Sequence, residues 1–176
     1  MNRYLFIILV ASSLGGYAQK LSSYQSNVMF FSKAAIEDIK AVNGKSSSIF
    51  NASSGEIVFS IPIKEFEFDK SLMKQHFNEK YMDSDKFPKA TFAGKISGYD
   101  ASITGEQNAV ANGKLTIHGV EREVQIPGTL EWTGGKVVVK SIFKVKLQDH
   151  KIKIPKMLWQ NIAEEVEVTV EFNYQP

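Results

Sequence analysis

Three histidines, His76, His118 and His150, are the side chains best suited to hold a metal ion, and their spacing argues against it. No two stand at an H-x-x-x-H interval, and the chain has no cysteine to complete a site. They read instead as a helix-face side chain, a turn hydrogen-bonder and a loop residue, so no metal is expected. Carboxylates are numerous, but Glu165, Glu167 and Glu171 fall on alternate residues, as do Glu65, Glu67 and Asp69. That is the spacing of a solvated strand face. A glycosidase pair needs two carboxylates opposed across a cleft, and nothing selects such a pair. Serines abound without a G-x-S-x-G elbow, and no glycine-rich loop leads into a helix to cradle phosphate. These residues nominate no catalytic group and no cofactor, and the chain is not expected to be an enzyme.

Charge narrows the partners. Twenty-one Lys and Arg against 19 Asp and Glu leave a net +2. Lysines do interleave with aromatics over 66–74 and 86–95, a pattern that can bind nucleic acid. A nearly neutral chain has no electrostatic reason to do so, and ordinary surface lysines account for the pattern.

The first residues have the three-part layout of a secretory signal. Asn2-Arg3 starts it, residues 4–10 (YLFIILV) are unbroken apolar, and Gly16-Tyr17-Ala18 puts small residues at −3 and −1 of a cut before Gln19. The apolar run is far short of the ~20 residues that cross a bilayer, so no membrane span is expected after cleavage. The reading is a signal peptide at 1–18, one domain at 19–176, and a periplasmic or secreted location. Without cysteine, that domain must be held by packing and hydrogen bonds.

Apolar residues then recur at every second position. Ile57, Phe59, Ile61 and Ile63 share a parity, as do Val137, Val139, Phe143, Val145 and Leu147 opposite Lys136, Lys140, Lys144 and Lys146. Val166, Val168, Val170, Phe172 and Tyr174 repeat the pattern. This is the signature of antiparallel strands with one dry face. Further strands are expected around 26–32, 36–43, 46–53, 90–99, 101–111, 112–118 and 121–132. Phe66 and Phe68 take the opposite parity from Phe59 and Ile61, which predicts a bulge or bend near Lys64-Glu65. One helix is expected over 71–82, capped by Asp69 or Ser71, with Leu72, Met73, His76, Phe77 and Tyr81 near one face. A short turn is expected around 155–160. About ten short strands and one helix fit an all-β barrel, which closes on itself and leaves no open edge.

Two segments do more than alternate. H-F-N-E-K-Y-M-D-S-D-K-F-P-K-A-T-F runs from His76 to Phe92, and G-K-L-T-I-H-G-V-E-R runs from Gly113 to Arg122. A helix leading into F-P-x-A-T-F, followed by G-x-L-T-I-H-G-V-x-R, resembles the YceI-like family of bacterial exported proteins, across roughly residues 22–174. The resemblance implies a lipocalin-like, extended antiparallel barrel whose interior holds a long isoprenoid chain, such as a quinone tail or polyprenyl phosphate. Parity nominates the residues that would line such a cavity: Phe59, Ile61, Phe92, Ile96, Leu115, Ile117, Val139, Phe143, Val168 and Val170. His118-Gly119-Val120 reads as a hairpin tip. His118 and Arg122 either stabilise that turn or meet a polar ligand head at the barrel mouth. The expected function is a lipid-binding protein for an apolar small molecule. An enzyme acting on a hydrophobic substrate, an integral outer-membrane barrel, and assembly as a homodimer stay open.

Overall fold

Where the inward parity runs unbroken the chain makes straight barrel staves, and where it slips the barrel turns a corner. The computed structural model describes residues 20–33, 38–154 and 163–175. The signal peptide expected at 1–18 and the turn expected around 155–160 lie outside the described residues. The strands are β1 (Lys20–Ser32), β2 (Ile39–Asn43), β3 (Ser47–Asn51), β4 (Glu56–Pro62) and β5 (Glu67–Phe68), then β6 (Lys89–Ser97), β7 (Gly105–Ile117), β8 (Val120–Thr133), β9 (Lys136–Lys146) and β10 (Glu165–Gln175). Every pairing is antiparallel. β1, β3, β4, β6, β7, β8, β9 and β10 are neighbours in that order, and β10 pairs back onto β1, so eight strands close an all-β barrel.

β2 continues β3 as one stave along β1. Val28 pairs with Asn43 and Lys20 with Asn51, one register carried across residues 44–46. β5 likewise continues β4, because Phe68 pairs with Ala41 of β2 while Ile57 pairs with Phe50 of β3. The inward parity switches at one level on these three adjacent staves. It switches at the bulge between Ser23 and Gln25 on β1, across 44–46, and at a 3₁₀ turn Ile63–Glu65. The predicted bulge or bend near Lys64-Glu65 is this turn. Fully buried Asn43 ties the corner together. Its Nδ2 donates to the Pro62 carbonyl at 2.8 Å, and its Oδ1 accepts from the Lys45 N–H at 2.8 Å and the Ser46 hydroxyl at 3.2 Å. A buried amide with these partners satisfies backbone groups that the corner takes out of the ladder.

Between β4 and β6, which pair directly, residues 63–88 form an insert that first prolongs the β4 stave through β5 and then leaves it. This insert holds β5 and a helix, α1 (Ser71–His76), that widens into a π-helical turn Phe77–Tyr81. The expected cap is absent: the N-cap is Lys70, with no side-chain capping bond. The insert is fastened at its ends, by the Ile63 N–H on the Pro88 carbonyl (2.9 Å) and an ion pair between Lys64 and Asp85.

Two further expectations change. The strands expected at 101–111 and 112–118 are one strand, β7, preceded by a loop at 98–104. Gly113 is needed inside the strand. It pairs with Gly94, and a Cβ there would stand 2.5 Å from the Gly94 Cα. A 3₁₀ turn, Leu147–His150, also follows β9.

The far end of the barrel is packed shut. Phe50 meets Tyr99 and Tyr174 at 5.9 Å between ring centroids, with Leu21 also fully buried. Tyr174 shares a 2.6 Å hydrogen bond with the Ser48 hydroxyl, and Tyr99 donates to the Ala52 carbonyl at 2.8 Å. Burial pushes the Tyr174 phenol well above its ordinary range.

Candidate binding cavity

The barrel's dry face does not fill itself at the end covered by the insert. A cavity of about 270 Å³ lies there. The strands supply Val28, Ile61, Ala90, Ile117, Val145 and Val168 to its wall, one inward residue at a time. The insert supplies Ile63, Phe66, Phe68, Met73, Phe77 and Met82. Phe77 is the pivot of an aromatic cluster, 5.3 Å from Phe30, 5.6 Å from Phe66 and 5.1 Å from Phe68. Such contacts are worth about 0.5–1.5 kcal/mol each beyond area burial, and they hold the insert against the barrel. Met73, His76, Phe77 and Tyr81 remain part-exposed, as do Ile39, Leu147 and Val166, so the insert and the neighbouring strand ends share the rim of the mouth.

Polar side chains in the wall are Ser32, His76 and Tyr81. The Ser32 hydroxyl accepts from the Ala163 N–H at 3.0 Å, and the His76 Nε2 lies 3.2 Å from the Lys80 ammonium, which donates to it. Burial raises the Tyr81 phenol above its ordinary value. These groups can orient a polar end at the rim, while the rest of the wall among the described residues is apolar. Among the described residues, no three His, Asp or Glu side chains cluster as a metal site would require.

A second, smaller cavity of about 50 Å³ lies deeper in the same interior. Of the residues nominated by parity, Ile61, Ile117 and Val168 face the larger cavity. Phe59, Phe92, Ile96, Val139, Phe143 and Val170 line the smaller one. Leu115 is buried in the core and lines neither. The larger cavity is therefore built mainly from residues that strand parity did not reach. Its signal lay in the helical face Met73, His76, Phe77 and Tyr81, together with the out-of-phase Phe66 and Phe68. Leu72, expected on the same face, is 59% exposed.

His118 and Arg122 line neither cavity. His118 (φ 51°) and Gly119 (φ 72°) form the two-residue turn joining β7 to β8, both in the left-handed region that type I′ hairpins require. The His118 Nδ1 donates to the His150 carbonyl and the His150 Nδ1 donates to the Val120 carbonyl, each at 3.2 Å. Arg122 Nε donates to the Asp149 carbonyl at 3.0 Å. The hairpin tip is thus clipped to the turn at 147–150, and Phe87 of the F-P segment packs on His118 at 4.6 Å. Burial of His150 holds its imidazole below the ordinary histidine value, although the carbonyls of Val120 and Ile117 oppose the shift.

A family model described as the YceI-like domain matches residues 20–174. Among solved structures, Burkholderia cenocepacia BcnA superposes with a TM-score of 0.70 at 21% identity, over 84% of this chain and 95% of that one. A polyisoprenoid binding domain from Saccharophagus degradans gives 0.75 at 14% identity, over 88% and 97%. The Campylobacter jejuni YCEI protein gives 0.64 at 17%, over 78% and 85%. At these identities the likeness is one of fold. No curated protein matches the chain.

Proposed function

The chain belongs to the YceI-like family, and from that premise we propose that it is a lipid-binding protein that takes the apolar chain of an isoprenoid-like molecule into the barrel. The observation that carries this reading is the apolar cavity of about 270 Å³ beneath the insert. A polyprenyl chain has almost no hydrogen-bonding groups along its length. Affinity must then come from apolar area removed from water, about 0.8 kcal/mol per buried methylene. A wall of Ile, Val, Phe and Met supplies that and little else. That a structural neighbour is described as polyisoprenoid-binding supports the same class of ligand, a quinone tail or a polyprenyl phosphate. The rim groups His76 and Tyr81 suit a polar head, and the reading is of a binder that holds its ligand unchanged.

The outward rows favour water around the barrel over acyl chains. Lys144 pairs with Glu165 at 3.0 Å and Lys114 with Glu121 at 2.9 Å, with Lys114, Glu121 and Lys144 exposed and Glu165 part-exposed. Cations on the lipid face of a membrane barrel cost about 2–4 kcal/mol each at the midplane. The same reading includes export, with residues 1–18 removed. Protein recovered from outside the cytoplasm should begin at Gln19, and an intact Met1 would reject export with cleavage.

Native mass spectrometry and organic extraction of protein purified from its own host test the ligand. An isoprenoid-like lipid released on denaturation is the expected result. Recovery of no apolar molecule, with prenyl alcohols also failing to bind the purified protein, would overturn the reading.

A further inference from the structure

The interior holds the two cavities one beyond the other along the strands. On β4, β6, β9 and β10 successive inward residues belong to different cavities, whereas on β7 Leu115 stands between Ile117 of the larger cavity and Ala111 of the smaller and lines neither. Ile61 faces the larger cavity and Phe59 the smaller, Ala90 the larger and Phe92 the smaller, Val168 the larger and Val170 the smaller. The layer just beyond the larger cavity, which lines the smaller one, contains a stack of three rings. Phe59 lies 5.1 Å from Phe92 at 14° and 5.7 Å from Phe172 at 28°. β4 and β10, which carry Phe59 and Phe172, are not neighbours in the sheet, so the stack crosses the bore. Phe92 is fixed to the wall, since its Cζ rests over the Gly94–Gly113 pair, 2.7 and 2.9 Å from where their Cβ atoms would be. Phe59 is the central ring.

We propose that Phe59 holds together the layer beneath the binding cavity, its floor, and so sets the length of chain that this protein buries. The inference rests on the lipid-binding reading and narrows its ligand. A cavity of about 150 Å³ holds one benzene ring, so about 270 Å³ holds roughly ten carbons, or two isoprene units. A longer chain keeps its remainder at the mouth, among the part-exposed side chains of the insert. Shortening Phe59 removes the centre of the stack and joins the two cavities, so that the next isoprene unit is buried as well.

The test compares geraniol with farnesol, which is one isoprene unit longer, by calorimetric or competitive binding to wild type, Phe59→Ala and Phe59→Leu. In wild type the two alcohols bind within about threefold, because the extra unit finds no dry space. Each newly buried methylene is worth about fourfold in Kd, so in Phe59→Ala farnesol binds at least about tenfold more tightly than geraniol. Phe59→Leu, a milder change that preserves the fold if the alanine does not, shifts the ratio in the same direction. The floor is overturned if wild type already prefers farnesol by about tenfold, or if folded variants keep the wild-type ratio. Failure of both alcohols to bind wild type overturns the lipid-binding reading and the floor together, which separates the two outcomes.

Discussion

Gly113→Ala should be among the most damaging single-methyl additions to the barrel. A Cβ at Gly113 would lie 2.4 Å from the Ala93 carbonyl oxygen, 2.5 Å from the Gly94 Cα and 2.9 Å from the Phe92 Cζ. The first two are backbone atoms of the paired strand and cannot rotate away. Ordinary contact begins near 3.4 Å, so β6 and β7 would have to separate locally by about an ångström. That weakens the ladder at the Gly94–Gly113 pair and lifts Phe92, only 2% exposed, off its seat. Overpacking of this kind costs about 1–3 kcal/mol, and with two immovable neighbours the upper half applies. For a chain of this size each kcal/mol lowers Tm by roughly 2–4 °C, so a fall of about 4–12 °C is expected in a thermal melt. Gly44→Ala is the control, because a Cβ there meets only the Ser26 carbonyl, at 3.8 Å. It should be neutral, or stabilising by about 0.4–1 kcal/mol through the unfolded chain. Equal melting of the two variants would refute the close-approach argument. Because Phe92 supplies one of the three contacts, Phe92→Leu should relieve part of the Gly113→Ala cost and leave the backbone part in place, a non-additivity that a double-mutant cycle reads directly.

Three other outcomes follow from the geometry. His150 is buried, with its titration held below the unfolded value near 6.5; between those two values the unfolded chain binds more protons. Its contribution is therefore complete above about pH 6.5 and is lost as pH falls through the depressed value, with a slope of at most about 1.4 kcal/mol per unit, and denaturation curves of His150→Gln should show a flatter acid limb. Met73→Lys places a charge in the cavity rim at a part-exposed helix position; prenyl alcohol binding should weaken by about tenfold or more while Tm moves by only a few degrees. Gly119→Ala adds a Cβ 2.4 Å from the Phe87 ring at φ +72°, so a loss of at least about 1–2 kcal/mol is expected in urea unfolding, and no loss would dismiss the hairpin-tip packing.

The strands were legible in the sequence because a period of two survives whatever a stave pairs with: Val166 to Tyr174 shows the same parity in the sequence as in β10. The corner was half legible. Phe66 and Phe68 betray their phase slip because both parities there are aromatic, but the matching slips at Tyr24 and at 44–46 fall among serines and a glycine, where no apolar residue marks the phase. Nor can one chain segment report that three slips share a level, since that is a property of register, and Asn43 shows it only once its Nδ2 is seen on Pro62. The cavity was the least legible part for the same reason. Parity gives the direction of a side chain, inward or outward, and not its depth, so nine of its ten nominees line the interior yet only Ile61, Ile117 and Val168 face the larger cavity. Depth is set by where the corner folds the insert across the bore. Once Phe77 is placed among Phe30, Phe66 and Phe68, the helix becomes part of the cavity wall, and an alternating strand sequence that could have packed solid retains space at one end. A local motif such as I-H-G-V then has a different duty: His118, Gly119 and Arg122 hold the β7–β8 tip against the turn at 147–150 and against Phe87, at the foot of β6. The two motifs that carried the family resemblance meet in that contact, which fixes the strands around the mouth and leaves the bottom of the cavity to Phe59.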